Sequence, residues 1–145
     1  MASKGATHST DIRVYYEDTD SGGIVYYANY LKFAERGRTE FLRDLGHDHR
    51  AMAQDHGLGF VVRRCLVDYL KPARLDDLLR VETRLTRVHG AKFEMAQYVL
   101  RNDTILCELA VTVGVVDASG RPSRLPPHVR QALVGVCGVQ EEGKG

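Results

Sequence analysis

An α+β fold, with one long helix wrapped by an antiparallel β-sheet, is what this 145-residue sequence predicts. Three observations carry that expectation. Apolar residues take a helical period over one long stretch, from about Ala28 to Leu45. Four strand-like runs follow it, joined mostly by short turns. No second long helix falls between those runs, as the crossovers of a doubly wound parallel sheet would require.

In chain order, residues 1–10 read as a disordered lead. Ile12 to Glu17 is rich in β-branched and aromatic residues and predicts a strand, broken by Ser21-Gly22-Gly23. Tyr30, Leu31, Phe33, Ala34, Phe41, Leu42 and Leu45 then share one broad helical face, and Gly46 suits the helix end. A short helical piece covers about Asp48 to Asp55, ending at Gly57. The four strand runs are Gly59–Leu70, Leu78–Val88, Lys92–Arg101 and Ile105–Val116, punctuated by Lys71-Pro72, Gly90 and Asn102-Asp103. They read as an uninterrupted meander. Pro126 opens a last helix through Leu133. Residues 11–137 form one domain, and 138–145 read as a flexible tail.

Composition narrows the classes. Apolar residues make up 43% and charged residues 27%, which suits a globular domain rather than a disordered chain. Twenty Lys and Arg against nineteen Asp and Glu give +1, so no nucleic-acid-binding surface is indicated. The longest uncharged stretch, Ser21 to Leu31, is far short of the ~20 residues of a membrane helix, so no membrane span is expected. Residues 1–10 carry no apolar signal core, and the three cysteines form no C-x-x-C pair. A cytoplasmic, reduced setting is therefore expected, with Cys65 and Cys107 as small buried hydrophobes.

The informative stretch is Tyr15 to Tyr30, YYEDTDSGGIVYYANY. It sets acidic residues at a strand end, then two glycines, then a helix start. A carboxylate beside the free N–H groups of a first helical turn can attack or activate water while the donors take developing negative charge. Spacing alone leaves Asp18 and Asp20 both open as that carboxylate.

The longer run DTDSGGIVYYANYLKFAERGRTE resembles the signature of hot-dog fold acyl-CoA thioesterases. The branch it resembles is the 4-hydroxybenzoyl-CoA thioesterase type, and within it the Tol-Pal-associated thioesterase family. The order of elements from about Asp11 to Val136 fits that layout too. The resemblance implies an enzyme, an acyl-CoA thioester hydrolase releasing free acid and CoA. It implies Asp20 as the carboxylate, nucleophile or general base, and the Tyr27 backbone amide as oxyanion donor. Gly23 matches the position where the backbone turns between them. Many relatives carry His where this chain has Tyr27, a change the backbone role survives. Relatives hold CoA phosphates near the turn between the second and third long strands, which makes Lys92 the candidate here. No metal or other cofactor is implied, since CoA arrives as part of the substrate. A homodimer or homotetramer is implied, with envelope-system or lipid-metabolism proteins as further partners. The alternative is a non-catalytic hot-dog module that binds acyl-CoA or an envelope protein.

Other patterns read as structure. Asp18 as the first position of a calcium loop would put Asn29 where a bidentate Glu belongs, so that pattern fails. His47, Asp48, His49 and His56 lack metal-motif spacing and read as a solvated surface. Glu17 reads as a strand residue facing away from Asp18. Glu35 reads as a helix-surface ion pair with Arg36 or Arg38. Arg63-Arg64 and Arg121/Arg124 read as solvated basic residues. A hot-dog dehydratase would carry a catalytic His in the early loop, and none lies between Thr10 and Glu40.

Overall fold

The computed structural model describes residues 7–137. Five antiparallel strands form one sheet: β1 (Thr7–Arg13), β2 (Gly59–Tyr69), β3 (Leu78–Val88), β4 (Lys92–Arg101) and β5 (Thr104–Val116). The helices are α1 (Asn29–Asp44), α2 (His49–His56) and α3 (Pro127–Val136). The α+β expectation of a long helix against an antiparallel sheet holds.

The strand order is β1-β3-β4-β5-β2, which corrects the expected meander. Only β3, β4 and β5 meander. β2 pairs β5, with Tyr69 opposite Cys107, and the segment after it carries the chain across to β3 beside β1. Both β1 and β2 are therefore edges. The first strand is also displaced from its expected position. β1 begins at Thr7, opposite Arg84, so residues 7–10 belong to the sheet rather than to a disordered lead. It ends at Arg13, and Tyr16–Asp18 form a single 3-10 turn instead of strand. The aromatic pair Tyr15-Tyr16 suggested strand, but both side chains are exposed and the turn's own hydrogen bonds prevail. Residues 1–6 and the 138–145 tail lie outside the described residues.

Period-two burial sets the sheet's inner face: Leu79, Val81, Thr83 and Leu85 on β3, Phe93, Met95, Gln97 and Val99 on β4. α1 lays Tyr30, Phe33, Ala34, Gly37 and Phe41 on that face. Leu31 is an exception, turning outward at 42% exposure. Burial of a side chain such as Phe33 contributes roughly 1.5–3 kcal/mol.

Gly37 sets the depth of the contact. A Cβ there would stand 2.6 Å from Val81 Cγ1, so only glycine lets the helix come this close. The close approach lets the buried Gln97 amide nitrogen donate to the Ala34 carbonyl and to Thr83 Oγ1, both at 2.9 Å. Gln97 Oε1 accepts from Arg38 at 3.0 Å. Both amide protons of Gln97 are thus paired inside the core, as a buried polar group requires.

The later elements follow their sequence signals. Asp48 caps α2 by accepting from the Ala51 N–H at 3.0 Å, and Gly57 ends it in the left-handed conformation. Pro127 opens α3, which buries Val129 and Leu133.

Candidate active site

The loop between β1 and α1 is shaped by its own backbone. The Asp18 carboxylate accepts from the Tyr15 N–H at 2.8 Å and closes the 3-10 turn. The Asp18 carbonyl accepts from the Tyr26 N–H at 3.0 Å and from Asn29 Nδ2 at 2.8 Å. Asp18 is 8% exposed, and one of its carboxylate oxygens and its carbonyl hold the loop. Asn29, buried at the first turn of α1, ties the helix start back to that loop.

Across the loop, the Asp20 N–H donates to the Ile24 carbonyl at 2.9 Å, and Thr19 bridges Val25. The chain reverses between them through Gly23, whose φ of 79° lies in the left-handed region that glycine adopts without strain. Asp20 Oδ1 accepts from the Gly22 N–H at 2.9 Å and the Ile24 N–H at 3.4 Å. The residue is exposed, and its other carboxylate oxygen has no protein partner among the described residues. The turn therefore fixes the carboxyl group through one oxygen and leaves the other open.

Tyr27 stands just before α1. Its carbonyl accepts from the Tyr30 N–H at 3.2 Å. Its own N–H, like that of Ala28, has no acceptor among the described residues. Both donors lie just ahead of the first helical residue, Asn29. The loop is fastened to the β2–β3 connection, with the Val25 N–H donating to the Ala73 carbonyl at 2.9 Å and the Leu75 N–H to the Gly23 carbonyl at 3.1 Å. Tyr30, buried beneath, accepts from the Ala73 N–H at 2.9 Å, and burial holds its phenol above the ordinary value.

The structure thus places Asp20, Gly23 and Tyr27 on one short hairpin-like loop, and separates Asp18, buried, from Asp20, exposed. Lys92 is not brought there. It opens β4 at the end of the sheet opposite Arg101, while Arg101 bonds the Pro72 carbonyl on the loop side. Ten extended residues separate those ends by ~30 Å. Beside Lys92 stand His89, bonded to Glu94 at 2.9 Å, and Arg124, whose guanidinium lies over Gly90.

The remaining candidates fall into structural places. Glu17 lies in the 3-10 turn, not in a strand. Glu35 makes no ion pair with Arg36 or Arg38, correcting that expectation. It lines a cavity of about 440 Å³ between α1 and β2, together with Arg38, Cys65 and Phe60. His49 is exposed, as expected, but His47 and His56 are less solvated: both pack against His128 of α3, with ring centroids 5.5 and 5.2 Å away. Among the described residues no group of three His, Cys, Asp or Glu side chains is arranged to hold a metal ion. Cys107 is fully buried, and burial pushes its thiol up to about 12. Cys65 is half-buried, and its thiol is also raised by burial. Neither is a ready thiolate. A groove of about 650 Å³ lies between β1 and α1 and is lined by His8, Asp11, Arg36 and Glu40. It includes neither Asp20 nor Tyr27.

Two features of the site were missed in the sequence. Asn29 carried a usable signal, since Asn at a helix start is a common capping residue. Tyr69 carried none. It reaches the site only because β2 pairs β5, which sets its ring against Tyr27 at 5.8 Å and Tyr30 at 5.6 Å.

Comparison with known proteins agrees with this geometry. Residues 14–133 match the thioesterase-like superfamily. The chain is 44% identical over 126 residues to the acyl-CoA thioesterase YbgC of Haemophilus influenzae, covering 86% of this chain and 93% of that protein. It is 42% identical to the acyl-CoA thioester hydrolase YbgC of Escherichia coli, covering 81% and 89%. A probable thioesterase from Bartonella henselae superposes with a TM-score of 0.79 at 43% identity, covering 83% of this chain and all of that one. With its hot-dog sheet and helix, its loop and these relatives, the chain belongs to the thioesterase-like superfamily, in the YbgC group.

Proposed function

We propose that this protein hydrolyses acyl-CoA thioesters, with the Asp20 carboxylate as nucleophile or general base and the Tyr27 backbone N–H as oxyanion donor. One observation carries the reading: an exposed, half-engaged carboxylate shares a loop with an unpaired N–H at the start of α1. The relatives named as acyl-CoA thioesterases support the substrate class.

In the nucleophilic form, the open oxygen of Asp20 attacks the thioester carbon. The C–S bond then breaks, CoA leaves as thiolate, and water hydrolyses the mixed anhydride. In the general-base form, Asp20 takes a proton from water, whose oxygen attacks the same carbon; the C–S bond then breaks and CoA leaves as thiolate, which takes up the proton. In both, negative charge grows on the carbonyl oxygen, where the Tyr27 N–H donates to it. Gly23 keeps the carboxylate and the donor on one tight loop.

The assembly proposed is a homodimer through β2, or a homotetramer built from that dimer. β2 is a free edge with Val61, Val62 and Leu66 41–57% exposed, a surface that edge strands do not leave open. Antiparallel two-fold pairing of two β2 strands would set the Lys92 end of one copy beside the Asp20 end of the other. Lys92 could then meet the CoA phosphates of the opposite copy's substrate.

Substitutions at position 27 test the mechanism. Tyr27→Phe keeps the N–H and is expected to keep most thiol release from acyl-CoA. Tyr27→Pro removes the donor at a position ahead of the helix, where that N–H makes no structural hydrogen bond to lose. Its turnover is expected to fall ~10²–10³-fold, the usual cost of one oxyanion donor. Equal loss in both variants, each folded by circular dichroism, would move the role from the amide to the phenol.

A further inference from the structure

Beside Tyr27 opens a recess of about 250 Å³, walled by Tyr27, Tyr30, Tyr69, Val25, Leu70 and Pro72, with Lys71 beside them. Its three tyrosines differ in freedom. Tyr30 is 3% exposed and pinned through its hydroxyl to the Ala73 N–H. Tyr27 belongs to the proposed donor itself. Tyr69 comes from another element, as the last residue of β2, with the fully buried Cys107 opposite it in the sheet. It is 46% exposed and leans edge-on against Tyr27, at an interplanar angle of 79°. It is the replaceable wall.

From this geometry we infer that Tyr69 limits the length of the acyl group. The inference rests on the thioester-hydrolase reading above. With the thioester oxygen at the Tyr27 N–H, the acyl group has the tyrosine-lined recess next to it, and the Tyr69 ring stands as its outer wall. At about 250 Å³ it falls below the ~300–1,000 Å³ of pockets that enclose drug-sized ligands. A short aliphatic or flat aromatic acyl group fits, and a long chain meets the ring. A larger cavity begins at Leu31, a helical turn beyond Tyr27, where Leu42, Phe60, Val62, Met95 and Val113 make most of its wall and Lys32, Glu35 and Arg38 stand among them. It borders the β2 edge assigned above to the dimer contact, and a long chain entering it would appear as a wild-type preference for long acyl groups.

The test is kcat/KM for a series of straight-chain acyl-CoAs from propionyl to palmitoyl, with benzoyl-CoA, measured by free-thiol release. The wild-type profile is expected to peak among the short chains and benzoyl. Tyr69→Ala is expected to raise the long-to-short ratio ~10-fold or more, since even one methylene in an apolar pocket shifts selectivity by about that factor. Tyr69→Trp is expected to move the profile the other way, toward shorter chains, while keeping an aromatic ring at the end of β2. A merely structural role would lower all rates together and leave the profile in place. Unchanged profiles in both variants, or a wild-type peak among long chains, would overturn the inference while leaving the hydrolase reading standing. A wild-type protein that releases no thiol from any member of the series would overturn both.

Discussion

The helix α1 is held very differently along its length. At its entrance the chain spends its polar groups on shaping a loop, and leaves one carboxylate oxygen of Asp20 and the Tyr27 N–H unpaired at the surface. Three turns on, at Gly37, the helix backbone is pressed onto the sheet, and both amide protons of Gln97 are matched within the core. The first region holds groups ready for an outside partner. The second gives up side-chain volume and polar freedom to fix where the helix lies. Loop reactivity depends on that fixed helix, because Asn29 ties the loop to α1 directly.

The sharpest way to break this contrast is at Asp20. Asp20→Asn nearly keeps the shape and is expected to cut turnover by ~10²-fold or more, since both proposed roles need the charge. Its thermal midpoint should stay close to wild type, because the retained amide oxygen can still accept from the Gly22 N–H. Asp18→Asn should show the opposite balance, with little change in turnover. Wild-type rates in folded Asp20→Asn would refute the assignment.

The core contact should answer in stability. Gln97→Leu strips the Ala34 carbonyl, Thr83 hydroxyl and Arg38 guanidinium of a buried partner, at roughly 1–3 kcal/mol. In a chain of this size that lowers Tm by about 3–10 °C. Gly37→Ala is expected to cost a similar ~1–3 kcal/mol by overpacking against Val81. Differential scanning calorimetry reads both, and an unchanged Tm in Gly37→Ala would show that the helix can ride up without cost.

The smallest effect is expected beyond the other end of α1. Burial, then the neighbouring His128 and His56, hold the His47 imidazole below its ordinary 6.5, against a smaller opposing pull from Asp55. The unfolded chain therefore takes up its proton first as pH falls. Stability from this group is present above about pH 6.5 and declines below it, through the window down to the lowered folded value. Urea midpoints at pH 7.5 and 5.5 should show a drop on acidification that is smaller in His47→Gln. An equal drop in that variant would assign it to other groups.

What the sequence made legible follows the same division. Elements with a strong period were readable to within a residue or two: α1 from its apolar face, β3 and β4 from alternation and the Gly90 turn. β1 was misplaced because Tyr15 and Tyr16 have strand-like side chains in a segment whose hydrogen bonds form a turn. The sheet order was hidden because pairing of β2 with β5 is a long-range fact with no local mark. At the site, the acidic loop and helix start were visible as chemistry, while the choice of Asp20 over Asp18 came from resemblance. The structure adds a difference in access: Asp18 is 8% exposed, while Asp20 is exposed at the surface. Tyr69 was invisible for the same reason as the strand order.

The Asn29–Asp18 tether spans eleven residues, and the Asp20–Ile24 bond only four. The opposing wall depends on Tyr69 finding Cys107, thirty-eight positions away (107 − 69). Loop closure costs more entropy as the closed segment lengthens, and contacts between distant positions slow folding. The loop's own hairpin can therefore close early, but its fastening to Ala73 and Leu75 spans forty-eight and fifty-two positions (73 − 25 and 75 − 23). That fastening and the Tyr69 wall sit at the end of β2 and the stretch just after it. One late-arriving segment thus both steadies the reactive loop and supplies the surface that chooses among acyl groups.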